Sequence, residues 1–401
     1  MCTSNRWCMV NAYTQLILPK TRKQGKFRNY TYPVQHPVQW LFTMENTTYN
    51  KGYTLMNNLE VFEKLIEDTV SGGLHTMVLA LGHRVGIVDA FYRLGRPATA
   101  KEISKEASLN LRYVQEWLAC MTAKGIVQYE DESYSLPASE RVQKAVLTSA
   151  VLPMFADCLS SLESVMRDPD HNRGYPFPKK DLEWLGKFNE VSAFNPEWIT
   201  RNLEPVFEHF HTETQENIEN ILDFGCGYGK LCQQLALSQP DCDVTGVDID
   251  EVSVKHCQQT YCYPNLRFLR NADLFYSNLK KNFHVIILME VLHDLPDPSH
   301  VLSELKSVLK PNGYIVAFEP NISSDVSANI GSKAAQSHLP YSVFFCLPNS
   351  MSQSPAVGHG AGWGVEDRRQ FIVNDGFSIV NVDSHLLDNE YDRIVFKMST
   401  T

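Results

Sequence analysis

The sequence lacks the cysteine spacings of a zinc site. Ten cysteines occur in 401 residues, yet none forms a CxxC pair and no other zinc-ligand spacing is present. Several fall in predicted helices or strands, such as Cys120, Cys232 and Cys257. We therefore expect no bound metal. We also expect reduced, buried thiols in a reducing compartment, which favours a cytoplasmic protein.

Long hydrophobic runs are also absent. No apolar run reaches the roughly 18 residues that cross a bilayer, so the sequence predicts no membrane span. Residues 7–19 are only mildly apolar, which argues against a secretory signal. A hydrophobic content of 43% and a charged content of 20% are ordinary for a globular protein.

Acidic residues are missing from residues 1–44, which hold six Lys or Arg residues. Such a leader is typical of a mitochondrial transit peptide, but we favour a disordered extension. Met44 is an equally good start of translation. The whole chain is acidic instead, with a formal net charge of −10. That balance argues against a general nucleic-acid-binding protein.

One motif near the middle of the chain is rich in glycine. Gly225, Gly227 and Gly229 follow Asp223, directly behind an apolar run. Glycine is needed where a strand turns sharply into a helix and a ligand must touch the backbone. The helix that begins at Lys230 then offers free N–H groups to a carboxylate. The motif therefore predicts a ligand site at the first turn of a strand–helix unit.

A second apolar run ends at Asp248. This residue would lie at the carboxyl edge of a doubly wound sheet, where ligands bind, and could accept hydrogen bonds from both hydroxyls of a ribose. The two motifs together indicate S-adenosylmethionine (SAM), and hence a methyltransferase. A dinucleotide site is disfavoured, because its fingerprint needs glycine where Lys230 stands.

Other cofactor contacts are expected where strands end, at Ile249, Ala272, Asp273, Met289 and Glu290. We predict that Asp273 bonds the adenine amino group and that Ala272 offers its backbone N–H. The alternative for Asp273 is a turn aspartate that caps the next helix.

The chain is predicted to be organised into a winged helix over 45–149, a helical connector over 150–212 and a catalytic domain over 213–401. The winged helix is near neutral with an acidic wing tip, so we expect dimerisation rather than DNA binding. A long insertion over 320–362 is predicted to be a lid or substrate wall.

The catalytic domain alternates strand and helix, which implies a parallel sheet. The predicted fold class is α/β, a Rossmann-like doubly wound sheet. Its five parallel strands are Asn220–Phe224, Val244–Ile249, Leu266–Leu269, His284–Met289 and Tyr314–Glu319. A terminal antiparallel hairpin, Phe377–Val382 and Arg393–Met398, joins the sheet edge.

Four motifs carry a family resemblance: Arg112–Leu118, Asp223–Gly229, Leu292–Asp294 and Gly362–Glu366. The chain resembles the two-domain class I methyltransferases first typified by mycobacterial proteins, which pair a winged helix with an SAM domain and whose substrates are poorly defined. Its plan is also similar to that of plant small-molecule O-methyltransferases. Those enzymes use a histidine after the fourth strand as general base. His293 matches it, although Leu295 stands where the plant motif has tryptophan.

A small-molecule hydroxyl or amine is the expected acceptor. We predict that His293 deprotonates a hydroxyl; the alternative is that it packs on the cofactor or bonds a neighbouring backbone group. Four residues are candidates to touch substrate: Tyr175, Trp184, His359 and Trp363. The competing function is a DNA-binding regulator with SAM as its ligand.

Overall fold

The computed structural model describes residues 59–169, 173–176, 194–276, 282–386 and 389–399. The chain divides after Lys64 into two units, 1–64 and 65–401. The expectations for residues 1–44 and for Trp184 lie outside the described residues.

The first described elements are four helices and a small hairpin. They are α1 (Leu59–Arg84), α2 (Ile87–Leu94), α3 (Ala100–Glu106), α4 (Leu111–Ala123), β1 (Gln128–Glu130) and β2 (Ser133–Ser135). Thr99 and Glu102 form a capping box at the start of α3, and Asn110 caps α4. Trp117 and Leu118 of α4 are buried in this domain's core. The predicted order of helices and hairpin is therefore present.

The described residues between this hairpin and the sheet form α5 (Glu140–Ser149), α6 (Val151–Met166), α7 (Pro196–Asn202) and α8 (Glu204–Thr214). Residues 141–166 are long enough to cross a bilayer, and their most apolar 18-residue window has a mean hydropathy of 1.6, which our sequence analysis missed. Length and composition alone do not distinguish a membrane span from a core helix. Within the protein, 44% of this apolar window is buried.

A seven-stranded sheet forms the core of the domain predicted over 213–401. Its strands are β3 (Asn220–Phe224), β4 (Asp243–Asp248), β5 (Leu266–Arg270), β6 (Phe283–Met289), β7 (Leu309–Pro320), β8 (Phe377–Leu386) and β9 (Tyr391–Met398). Their spatial order is β5-β4-β3-β6-β7-β9-β8. Strands β3 to β7 are parallel, and β9 runs antiparallel between β7 and β8. The predicted doubly wound sheet with a terminal hairpin is confirmed.

Helices pack on both faces of this sheet. They are α9 (Lys230–Ser238), α10 (Glu251–Thr260), α11 (Asn271–Tyr276), α12 (Pro298–Val308) and, later, α15 (Val365–Asn374). Successive strand residues point to opposite faces. Accordingly Ile221 belongs to one apolar cluster and Leu222 to the other. Burial of both faces explains why these strands read as continuous apolar runs.

The segment between β7 and α15 is largely helical. It holds a 3₁₀ turn (Val326–Asn329), α13 (Lys333–Tyr341), a π-helical turn (Ser342–Cys346) and α14 (Leu347–Ser350). The backbone N–H groups of Gly174 and Tyr175 donate to the carbonyls of Met351 and Pro348. This segment therefore packs against the connector.

Candidate active site

The loop between β3 and α9 has the conformation that its glycines allow. Gly225, Gly227 and Gly229 have φ of 80°, 52° and 74°, in the left-handed region. The N–H groups of Gly225 and Cys226 both donate to the carbonyl of Val247. The loop is thereby fastened to the end of β4.

Side chains would not fit in this loop. A Cβ on Gly225 would lie 2.5 Å from Cγ2 of Val291, and a Cβ on Gly229 would lie 2.9 Å from Sγ of Cys257. The first intrahelical bond of α9 runs from Gln233 N–H to the carbonyl of Gly229. The N–H groups that precede it at the helix N-terminus suit an anionic group.

Asp248 lies beside this loop at the end of β4. Its Oδ2 accepts a hydrogen bond from Gly227 N–H, and its Oδ1 accepts one from Asp250 N–H, both at 2.8 Å. Burial raises the pKa of Asp248, although these hydrogen bonds oppose the shift. Each carboxylate oxygen can accept a second hydrogen bond. Asp248 therefore retains the capacity to bind two hydroxyls of a ligand.

Ile249 follows the strand rather than ending it, and its side chain is 73% exposed. An uncovered apolar side chain next to Asp248 suits the face of an aromatic ring. Ala272 and Asp273 are exposed in the first turn of α11, where Asp273 pairs with Arg270 at 3.4 Å. This placement does not decide between the two interpretations of Asp273, and its contact with adenine stays a prediction.

Asp223 is buried at the base of the glycine loop, with 1% of its surface exposed. The Cys232 thiol donates to its Oδ2 at 3.0 Å. Burial raises the pKa of Asp223 to about 7. The residue therefore lies behind the loop and offers a ligand no exposed face, and its contact with the cofactor stays a prediction.

Met289 and Glu290 are half-buried where β6 ends. Glu290 has a φ of 54°, unusual for a residue with a side chain, and its N–H donates to the carbonyl of Phe318. The Tyr391 hydroxyl donates to the Glu290 carboxylate. This strained position turns the chain away from the sheet just before His293.

His293 is buried in a 3₁₀ turn, Leu292–Asp294, beyond β6. Its Nδ1 lies 2.5 Å from Oε2 of Glu319, and its Nε2 lies 3.2 Å from Oδ1 of Asp294. Burial alone would lower the pKa of His293, but the Asp294 and Glu319 carboxylates raise it well above its ordinary value.

Glu319, at the end of β7, is the site residue that our sequence analysis missed. Its Oε1 accepts hydrogen bonds from the N–H groups of Val291 and Leu292. Burial would raise the pKa of Glu319, but the charges of His293 and Arg368 hold it below its ordinary value. Glu319 therefore fixes both the backbone of the turn and the orientation of the imidazole. A strand-ending glutamate gave no local signal for this role.

The three predicted substrate residues that the structure describes, Tyr175, His359 and Trp363, do not form one group. Tyr175 packs with Phe345 and donates its hydroxyl to the carbonyl of Phe344 at 2.7 Å. Trp363 is a buried core residue in another cluster, and its ring stacks on His359 at 3.7 Å. Contact of Tyr175, His359 and Trp363 with substrate remains a prediction.

Two family models match the chain. A methyltransferase domain matches residues 215–357, and an Rv2258c-like winged helix-turn-helix domain matches residues 73–148. A phthiotriol/phenolphthiotriol dimycocerosates methyltransferase of Mycobacterium ulcerans is 26% identical over 31% of this chain and 48% of its own length. A ubiquinone biosynthesis O-methyltransferase of Pasteurella multocida is 32% identical over 37% of this chain and 64% of its own. The chain thus matches less than two thirds of these relatives.

Solved structures share the fold over most of the chain. Human N-acetylserotonin methyltransferase in complex with SAM has a TM-score of 0.63 at 17% identity, covering 84% of this chain and 98% of that one. Mitomycin 7-O-methyltransferase has a TM-score of 0.56 at 11% identity, covering 88% and 100%. The chain contains an Rv2258c-like winged-helix domain followed by a methyltransferase domain, which is the plan of the two-domain class I methyltransferases that its motifs resemble.

Proposed function

We propose that this protein is an SAM-dependent methyltransferase that acts on a hydroxyl or amine of a small molecule. The observation that carries the proposal is the shared edge of the sheet. The glycine loop and Asp248 follow β3 and β4, and the His293–Glu319 pair follows β6 and β7. Parallel strands present their carboxyl ends together, so both groups lie where a doubly wound sheet binds ligands.

The chain's own residues fit the cofactor. The N-terminus of α9 would hold its carboxylate, Asp248 its ribose hydroxyls and Ile249 one face of its adenine. Glycine is needed at positions 225 and 229 for the loop to keep this conformation, since a side chain on either would meet a neighbouring side chain within 3 Å. When bound, SAM supplies an electrophilic methyl group on a sulfonium.

The protein's task is then to position the acceptor and manage its proton. Alignment of the reacting atoms can supply much of the acceleration. We propose that His293, in its neutral form, accepts the proton of a hydroxyl acceptor at Nε2, because Glu319 fixes its Nδ1. Since the neighbouring carboxylates raise the pKa of His293, this neutral form is reached only at higher pH. The two relatives named above include an O-methyltransferase, which favours a hydroxyl over an amine.

A cluster of three aromatic side chains, here called the aromatic wall, favours the proposal of a small acceptor. Its members are Phe155, Tyr341 and Phe344. Phe155 of α6 stacks on Phe344 at 5.1 Å and contacts Tyr341 edge-on at 5.5 Å. Burial raises the pKa of Tyr341, with a contribution from the Glu290 carboxylate. The wall therefore reaches the end of β6, where the acceptor would bind.

We also propose a homodimer in a reducing, cytoplasmic compartment. In the unit that begins at residue 65, α1 exposes an apolar series suited to a second copy of the chain: Leu65, Ile66, Val70, Leu74 and Leu81. All eight cysteines among the described residues are free thiols. The wing tip exposes Glu130, Asp131 and Glu132, which disfavours contact with nucleic acid.

The test combines binding and turnover. Calorimetry should show uptake of SAM by the purified full-length protein, and methyl-labelled SAM should label small molecules of a cell extract. His293→Ala should bind SAM normally and lose turnover, while the exposed His300→Ala should retain both. A well-folded protein that takes up neither SAM nor its demethylated product would refute the proposal.

A further inference from the structure

Three side chains of different chemistry converge next to the proposed acceptor position. His293, Asp294 and Cys346 each place one ligating atom within 4.8 Å of the other two. Nitrogen, carboxylate oxygen and sulfur are the donors that Zn²⁺ uses in proteins. Cys346 is distant from the other two in sequence, which is why cysteine and histidine spacing did not indicate this group.

The imidazole is oriented as in a metal site. Glu319 accepts the hydrogen bond of Nδ1, which leaves Nε2 as the ligating atom. Metal-bound histidines commonly donate their other N–H to a carboxylate, which fixes the ring and raises its basicity. Glu319 is itself held by two backbone N–H groups, so this support is rigid.

Asp294 provides an independent observation. Its Oδ1 is buried without a hydrogen-bond partner, although Nε2 of His293 lies 3.2 Å away without the alignment of a hydrogen bond. A buried carboxylate oxygen without a partner is costly and calls for a bound group or ion.

Cys346 comes from the helical insertion after β7, at the last residue of its π-helical turn. Short π-helical turns occur frequently at functional sites. The thiol is buried, and its sulfur lies within 4.8 Å of the ligating atoms of His293 and Asp294. The insertion therefore contributes a ligand to the edge of the sheet.

We propose that His293, Asp294 and Cys346 bind a divalent transition-metal cation, with Zn²⁺ the best chemical match. Three protein ligands leave a fourth position open, the pattern of catalytic rather than structural zinc sites. A cation there would polarise an acceptor oxygen directly. The ion would occupy the Nε2 lone pair, so His293 would not also exchange a proton with the acceptor. Only the polarisation of an acceptor oxygen rests on the proposed function. The binding of the ion does not depend on it.

Cobalt titration tests the site, because Co²⁺ reports its ligands by absorption. The purified full-length protein, stripped with a chelator, should develop a thiolate-to-Co²⁺ charge-transfer band and visible bands of a four-coordinate ion. Cys346→Ser should lose the charge-transfer band, and Cys346→His should bind Co²⁺ without it. Glu319→Gln should weaken binding roughly tenfold to a hundredfold. Cys262→Ser, which removes an exposed thiol, should leave the spectrum unchanged.

A spectrum without the thiolate band in the native chain, or a band that persists in Cys346→Ser, would overturn the site. Calorimetry with SAM on the same samples separates this from the proposed function. If the protein takes up SAM but does not bind Co²⁺, only the metal site is refuted, and His293 then acts by proton exchange. Failure to take up SAM removes the methyltransferase proposal whatever Co²⁺ does.

Discussion

Glu319 lies 2.5 Å from Nδ1 of His293, and both side chains are almost fully buried. The contact joins the ends of two adjacent strands, β6 and β7, across the centre of the catalytic domain. A carboxylate paired with an imidazole forms a charge-assisted hydrogen bond, which is shorter and stronger than a neutral one. The pair is therefore a fixed element of the site, whichever group occupies Nε2.

Replacing Glu319 with glutamine should lower turnover at least about tenfold, because the imidazole loses its charged partner while the amide oxygen can still accept the backbone N–H groups. Affinity for SAM should stay within about twofold, since Glu319 does not border the glycine loop. Steady-state kinetics and calorimetry on the same preparation measure both. Glu197→Gln, in an exposed ion pair on α7, is the control and should change neither quantity. Unaltered turnover in Glu319→Gln would show that the pair has no part in the reaction.

Gly225→Ala should weaken SAM binding at least tenfold, an effect of about 1.4 kcal/mol. The new Cβ meets Cγ2 of Val291, and the left-handed φ adds strain of about 1–3 kcal/mol. Gly125→Ala is a matched control, because Gly125 has the same φ of 80° in open space. It should reduce the unfolding free energy while SAM affinity is unchanged. Equal losses of affinity in both variants would contradict the role given to the Gly225 contact.

The fold was predictable where local pattern carries the information. Strands buried on both faces appear as continuous apolar runs, and β3 is predicted to the residue. Left-handed turns require glycine, so the loop after β3 was also visible in the sequence. Strand ends were harder to predict, because an apolar residue can follow a strand without belonging to it. Ile249 is predicted as the last residue of β4, but the strand ends at Asp248.

The long-range parts of the site were not predictable in this way. Glu319 and Cys346 reach His293 only because the sheet order places β7 next to β6 and the insertion returns over that edge. The residue pattern within one segment does not indicate which distant segment lies next to it in the fold. The sequence also does not show how deeply an aromatic side chain is buried. Trp363 stands out in a glycine-rich motif, yet it is a core residue.

Arg368 should be essential for stability. Its side chain is fully buried, and it pairs with the equally buried Asp392 at 3.2 Å while donating to the carbonyls of Trp363 and Pro320. Arg368→Met leaves the buried Asp392 to pair with the partly exposed Arg369 and leaves two buried carbonyls without their donor, and should cost about 3 kcal/mol of unfolding free energy. Arg201→Met breaks an exposed pair and should cost at most about 1 kcal/mol. Urea unfolding measures both; similar costs would refute the distinction.

Asp223 should make stability depend on pH in the opposite sense to an ion-paired carboxylate. Burial raises its pKa from 3.8 to about 7, so the folded protein holds a proton that the unfolded chain releases between these values. The folded state then binds more protons than the unfolded state, and the unfolding free energy falls as pH rises from about 4 to about 7 and levels off above it. Asp223→Asn cannot titrate and should lack this contribution.

The difference between the two proteins isolates the carboxyl, because their other titrating groups cancel. Urea unfolding across this range should give a difference that changes by at most about 1.4 kcal/mol per pH unit, downward for the native chain. Asp241→Asn, which alters an exposed carboxyl, should retain the native slope. Parallel curves for the native chain and Asp223→Asn would mean that Asp223 is charged in the folded protein. The Cys232 thiol would then be hydrogen-bonded to a buried carboxylate anion rather than to a neutral acid.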